Sequence, residues 1–274
     1  HGLLHHAELI GSSDAAHINL DLLRLGGLLC GSLPFALILT ICWWQLQGHT
    51  TPWRAMLFTW PTFFGSFLFV YSGSFYGHLI GAAFALGALM ALDRGHHRTA
   101  GMLIGCAVLC EYTIALFAMC WAVDLILTWT RKSGTWKPIL HFTLGALPFA
   151  VVLLVYNTLV FGGPFHMGYD HVDSYQPEGG SMIEQLRPEA LWGLTLSPYR
   201  GLLPYMPALI IAIPTWWIGT RRIGGLRVAL PAALILLFTA SVGMWWGGCA
   251  FRPRHLTVAS VLLAYRALPW LART

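Results

Sequence analysis

Residues 139–161 read ILHFTLGALPFAVVLLVYNTLVF, with no Asp, Glu, Lys or Arg among them. As a helix rising ~1.5 Å per residue, this stretch reaches ~35 Å, enough for the ~30 Å hydrocarbon layer of a bilayer. Eight further apolar stretches surround it, at approximately 24–46, 55–72, 76–92, 99–110, 112–130, 202–219, 228–246 and 255–271. Several fall short of the ~20 residues a spanning helix needs, so they must tilt, pair as hairpins or sit inside a protein bundle. The composition agrees. Of 274 residues, 57% are hydrophobic and 10% charged, and mean hydropathy is +0.64. A soluble domain carries roughly 25% charged residues, so a soluble enzyme, a disordered chain and a fibrous repeat are excluded. The expected fold is all-α: a polytopic membrane helix bundle of about nine transmembrane or half-membrane helices. It forms a single domain over 1–274, with a long outer loop and no internal repeat.

The basic residues sort by loop. Arg54, Arg94, Arg98, Arg131, Lys132, Lys137, Arg221, Arg222, Arg227 and Arg273 fall on one set, and Arg24, Arg187, Arg200, Arg252 and Arg254 on the other. The positive-inside rule makes the first set cytoplasmic. Because Arg94/Arg98 and Arg131/Lys132 then share a side, residues 99–130 are expected to fold back near Glu111; one long helix is the competing reading. The acids Glu8, Asp14, Asp21, Asp170, Asp173, Glu178, Glu184 and Glu189 all fall on the outer side. So does the loop 162–201, whose ~40 residues far exceed the ~15 of an ordinary connection. Its stretch 181–192, with Trp192, is expected to be a short helix on the membrane surface. The net charge of +5, from 16 basic and 11 acidic residues, therefore reports topology. Without a Lys/Arg tract or zinc-type spacing, no nucleic-acid partner is expected. The six cysteines lie mostly in apolar runs and read as small hydrophobes, and no metal site is expected.

The polar motifs gather on the outer side, and most admit two readings. Trp245-Trp246-Gly247-Gly248 leads through Arg252-Pro253-Arg254 to His255. The glycines allow a tight turn and Pro253 suits a helix start. The arginines either clamp a phosphate or snorkel beside an interfacial Trp pair. His78, after Ser72-Gly73-Ser74, either contacts a phosphate or is a polar helix end. Tyr156-Asn157 either orients a sugar or bonds across helices. Glu111 is expected to be solvated or paired with an arginine. Asp124, inside an apolar run, needs a partner in the bundle, and His141 is expected to hydrogen-bond within it. Most of the thirteen Trp read as aromatic belts.

Four of these stretches together resemble the bacterial polytopic glycosyltransferases of the GT-C superfamily, including the family 39-like enzymes. Trp-Trp-Gly-Gly followed by Phe251-Arg252-Pro253-Arg254-His255-Leu256 is similar to their Trp-Gly-Gly and Gly-Pro-Arg-Tyr-Leu elements. Ser197-Pro198-Tyr199-Arg200-Gly201-Leu202-Leu203 is similar to a Ser-Pro-x-Arg-Gly-Leu-Leu element. Tyr156-Asn157 with Phe161-Gly162-Gly163-Pro164-Phe165 is similar to the end of a middle span, and Ser72-Gly73-Ser74 with His78 to a hairpin apex. The resemblance covers about residues 19–265, in order. It implies transfer of a sugar from a polyprenyl-phosphate donor to an acceptor hydroxyl, with release of polyprenyl phosphate, in the inner (plasma) membrane with the site facing the periplasm or exterior. Membrane lipid is a further partner it implies. Such a reaction needs a carboxylate base and cations on the leaving phosphate. The base candidates by position are Asp14, Asp170 and Asp173. The cations are Arg200, Arg252 and Arg254, and His78, Tyr156, Asn157, Trp246 and His255 complete the candidate substrate-binding set. Arg252 departs from the pattern by standing where the family often has Gly, and Glu111 stands near where a basic residue is frequent. The family's acid lies in the first outer loop, and the chain is expected to begin within or after that loop. The alternative is a non-catalytic GT-C-like scaffold subunit of a larger membrane complex. A subunit ligating haem or a chlorophyll through His78 or His141 lacks paired histidines, and a transporter lacks the repeats.

Overall fold

The computed structural model describes residues 12–132, 134–168, 185–210, 223–248 and 254–271. Twelve α-helices and no strand occur among them. The first, α1 (Ser12–Gly27), runs through a π-turn at Leu28–Ser32 into α2 (Leu33–Gln47). Next come α3 (Pro52–Phe64), α4 (Phe67–Tyr71), α5 (Gly77–Asp93) and α6 (His97–Cys110). A 3-10 turn at Tyr112–Ile114 opens α7 (Ala115–Lys132), and α8 (Lys137–Phe161) follows. Then come α9 (Pro188–Thr195), α10 (Leu202–Tyr205) and α11 (Ile223–Ala240). A 3-10 turn at Arg254–Leu256 leads into α12 (Thr257–Leu271).

Three helical runs are long and apolar enough to cross a membrane: Asn19–Gln47, Tyr112–Arg131 and Lys137–Phe161. Their surfaces fit lipid. On α8 the side chains of Leu144, Leu147, Val151, Val152, Val155, Leu159 and Val160 are all exposed, as are Leu20, Leu22, Leu23, Leu25, Leu28 and Leu29 on the first run. Contiguous apolar surface of this extent is unfavourable against water. The core lies around α5, which packs against α2, α6 and α12 through Leu79, Ala82, Leu86, Leu89, Val258, Val261 and Leu262.

The closest packing is between α6 and α8. A methyl carbon added at Gly101 would meet the Phe142 carbonyl oxygen at 2.0 Å, and one added at Gly145 would meet that of Arg98 at 2.2 Å. Where lipid is as apolar as leucine, helices associate through such backbone-to-backbone approach at small residues.

Several expectations change in detail. Residues 55–72 form two helices, because the chain breaks at Gly65–Ser66 after Pro61. There the Ser66 hydroxyl accepts from the Leu68 amide at 3.3 Å and donates to the Phe63 carbonyl at 2.7 Å. The surface helix starts at Pro188, later than 181, because the residue before a proline is held extended; residues 181–184 lie outside the described set. Of 202–219, Leu202–Tyr205 is a short α-helix that breaks at Met206, and the chain is helical again at 208–210, where the described stretch ends. The stretch 228–246 stops being helical at Ala240. The hairpin near Glu111 is present: α6 ends at Cys110, and Glu111 is extended with φ −154° and ψ 116°. His141 is exposed on α8, not bonded within the bundle.

One end of the bundle is tied by charge. Arg227 Nε donates to Asp124 at 2.7 Å and its Nη1 to Asp93 at 3.3 Å, while Arg266 Nη2 donates to the other oxygen of Asp93 at 2.6 Å. This links α5, α7, α11 and α12, and supplies the partner Asp124 requires in an apolar helix.

Candidate functional site

The opposite end is built from four breaks in the helices. The α4–α5 turn supplies Tyr71, Tyr76 and His78, and the α6–α7 break supplies Glu111 and Thr113. The segment after α9 supplies Tyr199 and Arg200, and the turn after α11 supplies Trp245 to Gly248 and, beyond residues 249–253, Arg254 and His255. Helix ends expose backbone polar groups that need partners, which is why polar side chains collect where apolar helices stop.

At the centre, His78 Nδ1 lies 2.8 Å from Glu111 Oε2. The Thr113 hydroxyl donates to the other carboxylate oxygen, also at 2.8 Å. The pair is nearly enclosed, with side-chain exposures of 12% for His78 and 7% for Glu111. An ionised carboxylate only accepts hydrogen bonds, so the His78 nitrogen facing it carries the proton. Burial pushes the Glu111 carboxyl up. The His78 hydrogen bond and charge, the His255 charge and the Thr113 hydroxyl outweigh burial and hold it below its ordinary value.

Aromatic rings fix the histidine. Tyr76 stacks on it at 5.9 Å between centroids and 24° between planes. Tyr71 meets it edge-on at 5.9 Å and His255 edge-on at 6.1 Å.

The turn beside them depends on left-handed backbone. Gly247 and Gly248 have φ of 75° and 67°, a region costly for residues with a Cβ. This fold aims two carbonyls at Arg200, a buried guanidinium: Nη1 donates to the Trp246 carbonyl at 2.5 Å and Nη2 to that of Gly248 at 2.9 Å. Arg200 also lies 5.0 Å from the centre of the Tyr199 ring. A methyl carbon at Gly247 would stand 3.5 Å from both Arg254 Nε and His255 Nε2. Trp245 packs its ring against Gly193 of α9 and meets Trp246 edge-on at 5.9 Å.

Of the residues singled out from sequence, His78, Arg200, Trp246, Arg254 and His255 are therefore brought together. Arg200 holds the Trp246–Gly248 turn through two of its donors. Tyr156 and Asn157 stand at the end of α8. Tyr156 is an electrostatic neighbour of Tyr112, and buried Asn157 donates to the Pro164 carbonyl at 3.3 Å. Asp14 lies on α1, with its side chain outside the described set, and Asp170, Asp173 and Arg252 lie outside it altogether. Among the described residues no group of three or more His, Cys, Asp or Glu could hold a metal ion.

Glu111 corrects the sequence reading, which placed it in solvent or beside an arginine; it is buried against a histidine. A signal was available: a lone carboxylate at the break between two apolar runs is costly unless paired, and His78 opens a neighbouring apolar run on the same side. No protein-family model, no characterised protein and no solved structure matches this chain.

Proposed function

We propose that this chain is a multi-pass glycosyltransferase of GT-C type in the inner (plasma) membrane. It transfers a sugar from a polyprenyl-phosphate donor to an acceptor hydroxyl at the outer face. The observation that carries this reading is the meeting of three sequence-distant motifs at one end of the bundle: the His78–His255 ring contact and the Arg200 bonds to the Trp246–Gly248 turn. Arg254, beside that turn, is the cation for the leaving phosphate, with Arg252 as its sequence neighbour, since a guanidinium suits a phosphate's paired oxygens. Trp246, Tyr156 and Asn157 are assigned to sugar binding by the resemblance alone. Asp14, Asp170 and Asp173 are the carboxylates that sequence offers as the base. The exposed apolar faces of α1, α2 and α8 meet lipid.

The test uses the full chain reconstituted in phospholipid vesicles with a radiolabelled polyprenyl-phosphate hexose. Wild type should release polyprenyl phosphate as the label moves to an acceptor. Arg254→Ala should lower turnover ~100-fold, or about 2.7 kcal/mol of barrier. Unchanged turnover removes Arg254 from the reaction. If no sugar moves and the chain co-purifies stoichiometrically with other membrane proteins, the scaffold-subunit reading replaces this one.

A further inference from the structure

We propose that His78, oriented by Glu111, is the group that takes the proton from the acceptor hydroxyl in place of the carboxylate that the resemblance implies, an inference that rests on the glycosyl-transfer reading above. Both Glu111 oxygens are engaged, one by His78 and one by Thr113. The carboxylate is therefore placed to orient a base, not to serve as one. Its hydrogen bond fixes the proton on His78 Nδ1 and leaves Nε2 to receive another, the division of labour by which a buried carboxylate sets an imidazole's tautomer and steadies the cation that forms. Of the two side chains, the histidine is the more accessible. His255, which meets its ring edge-on, directly follows Arg254, and both approach Gly247. His255 thus stands between the base and the phosphate-binding cation in the chain of contacts.

The step balances within the two substrates. The acceptor O–H proton passes to His78 Nε2. The acceptor oxygen forms a new bond to the anomeric carbon. The bond from that carbon to the phosphate oxygen breaks, and its electron pair leaves with polyprenyl phosphate. The imidazolium, held against Glu111, then returns its proton to water. The groups facing His78 are Glu111 and Thr113 from the α6–α7 break, Tyr71 and Tyr76 from the α4–α5 turn, and His255 from the turn before α12. The charges of Arg254 and Arg200 reach Tyr71.

The experiment measures kcat, KM and the pH profile of the reconstituted full chain with the same hexose donor. His78→Gln should lower kcat at least 100-fold, within the range of general-base catalysis, with KM for the donor changed less than threefold. Glu111→Gln should move the acid limb of the kcat profile to lower pH, because losing the carboxylate makes the imidazole a weaker base; Glu111→Asp should restore part of the shift. If His78→Gln does not fold, Thr113→Val serves instead: without the hydroxyl that shares its charge, the Glu111 carboxylate accepts more strongly from His78, and the limb should move by a smaller amount to higher pH. Wild-type kcat in His78→Gln, or an unmoved limb in both Glu111→Gln and Thr113→Val, overturns this proposal while leaving the glycosyl-transfer reading standing. Absence of transfer by the wild type overturns both.

Discussion

Replacing Gly101 by alanine places a methyl carbon 2.0 Å from the Phe142 carbonyl oxygen and 3.0 Å from the Ala146 amide nitrogen. Ordinary contact begins near 3.4 Å, so α6 and α8 must separate by 3.4 − 2.0 = 1.4 Å at this point, or shift along each other. Neither neighbour can yield as a side-chain tip would, because both are helix backbone. A gap of 0.5–1 Å already forfeits a quarter to a half of each contact's attraction, and overpacking of this kind costs typically 1–3 kcal/mol. Alanine returns up to about 1 kcal/mol of helix propensity. The expected net loss is about 2 kcal/mol, roughly a 30-fold shift in the unfolding equilibrium. Unfolding in mixed micelles titrated with a denaturing detergent, followed by far-ultraviolet circular dichroism, measures it. Gly87→Ala is the control, since its methyl carbon meets only the mobile tip of Leu103 at 3.3 Å, and it should be neutral or slightly stabilising. Equal stability of the two variants would refute the account of backbone contact between these helices.

Arg227→Ala leaves Asp124 and Asp93 facing each other's side of the bundle without their shared cation, and should destabilise by roughly 3 kcal/mol; Asp124→Leu added to it should recover part of the loss in the same detergent titration. Gly247→Ala forces a Cβ into left-handed backbone at φ 75° and should cost about 1–2 kcal/mol, read as a lower thermal midpoint by tryptophan fluorescence. Stability against pH should carry the mark of Glu111. Because its folded carboxyl sits below its ordinary value, its contribution is complete above about pH 4.3, the unfolded value. It is lost as pH falls further through the folded value, and Glu111→Gln should flatten that part of the curve.

Helices long and apolar enough to cross a membrane were readable because they depend on composition and run length: 139–161 is one helix from Lys137 to Phe161. The turn at Glu111 followed from charge sorting alone, since Arg98 and Arg131 had to share a side. Asp124 announced a partner because an isolated charge in an apolar helix is costly, but not that the partner would be Arg227, some hundred residues away. Contacts across that distance depend on how helices pack, and packing depends on glycines such as Gly101 and Gly145 whose partners no periodicity reveals. The same applies at the candidate site. His78, Arg200 and His255 could be singled out as unusual polar residues at helix ends, whereas the His78–Glu111 pairing required the α5–α6 register. Arg200 read as a phosphate ligand because its type suits one; its bonds to two carbonyls follow from the left-handed backbone at Gly247 and Gly248.

The short length of α6 bears on how the protein is made. Its 14 residues extend only ~21 Å at ~1.5 Å each, less than the hydrocarbon thickness, and its tightest partner, α8, is translated later. A nascent chain therefore carries α6 as an unfinished segment until the ribosome has delivered residues 137–161. Chains truncated at Thr135 should hold α6 less firmly in the bilayer than chains in which residues 137–161 have emerged from the ribosome.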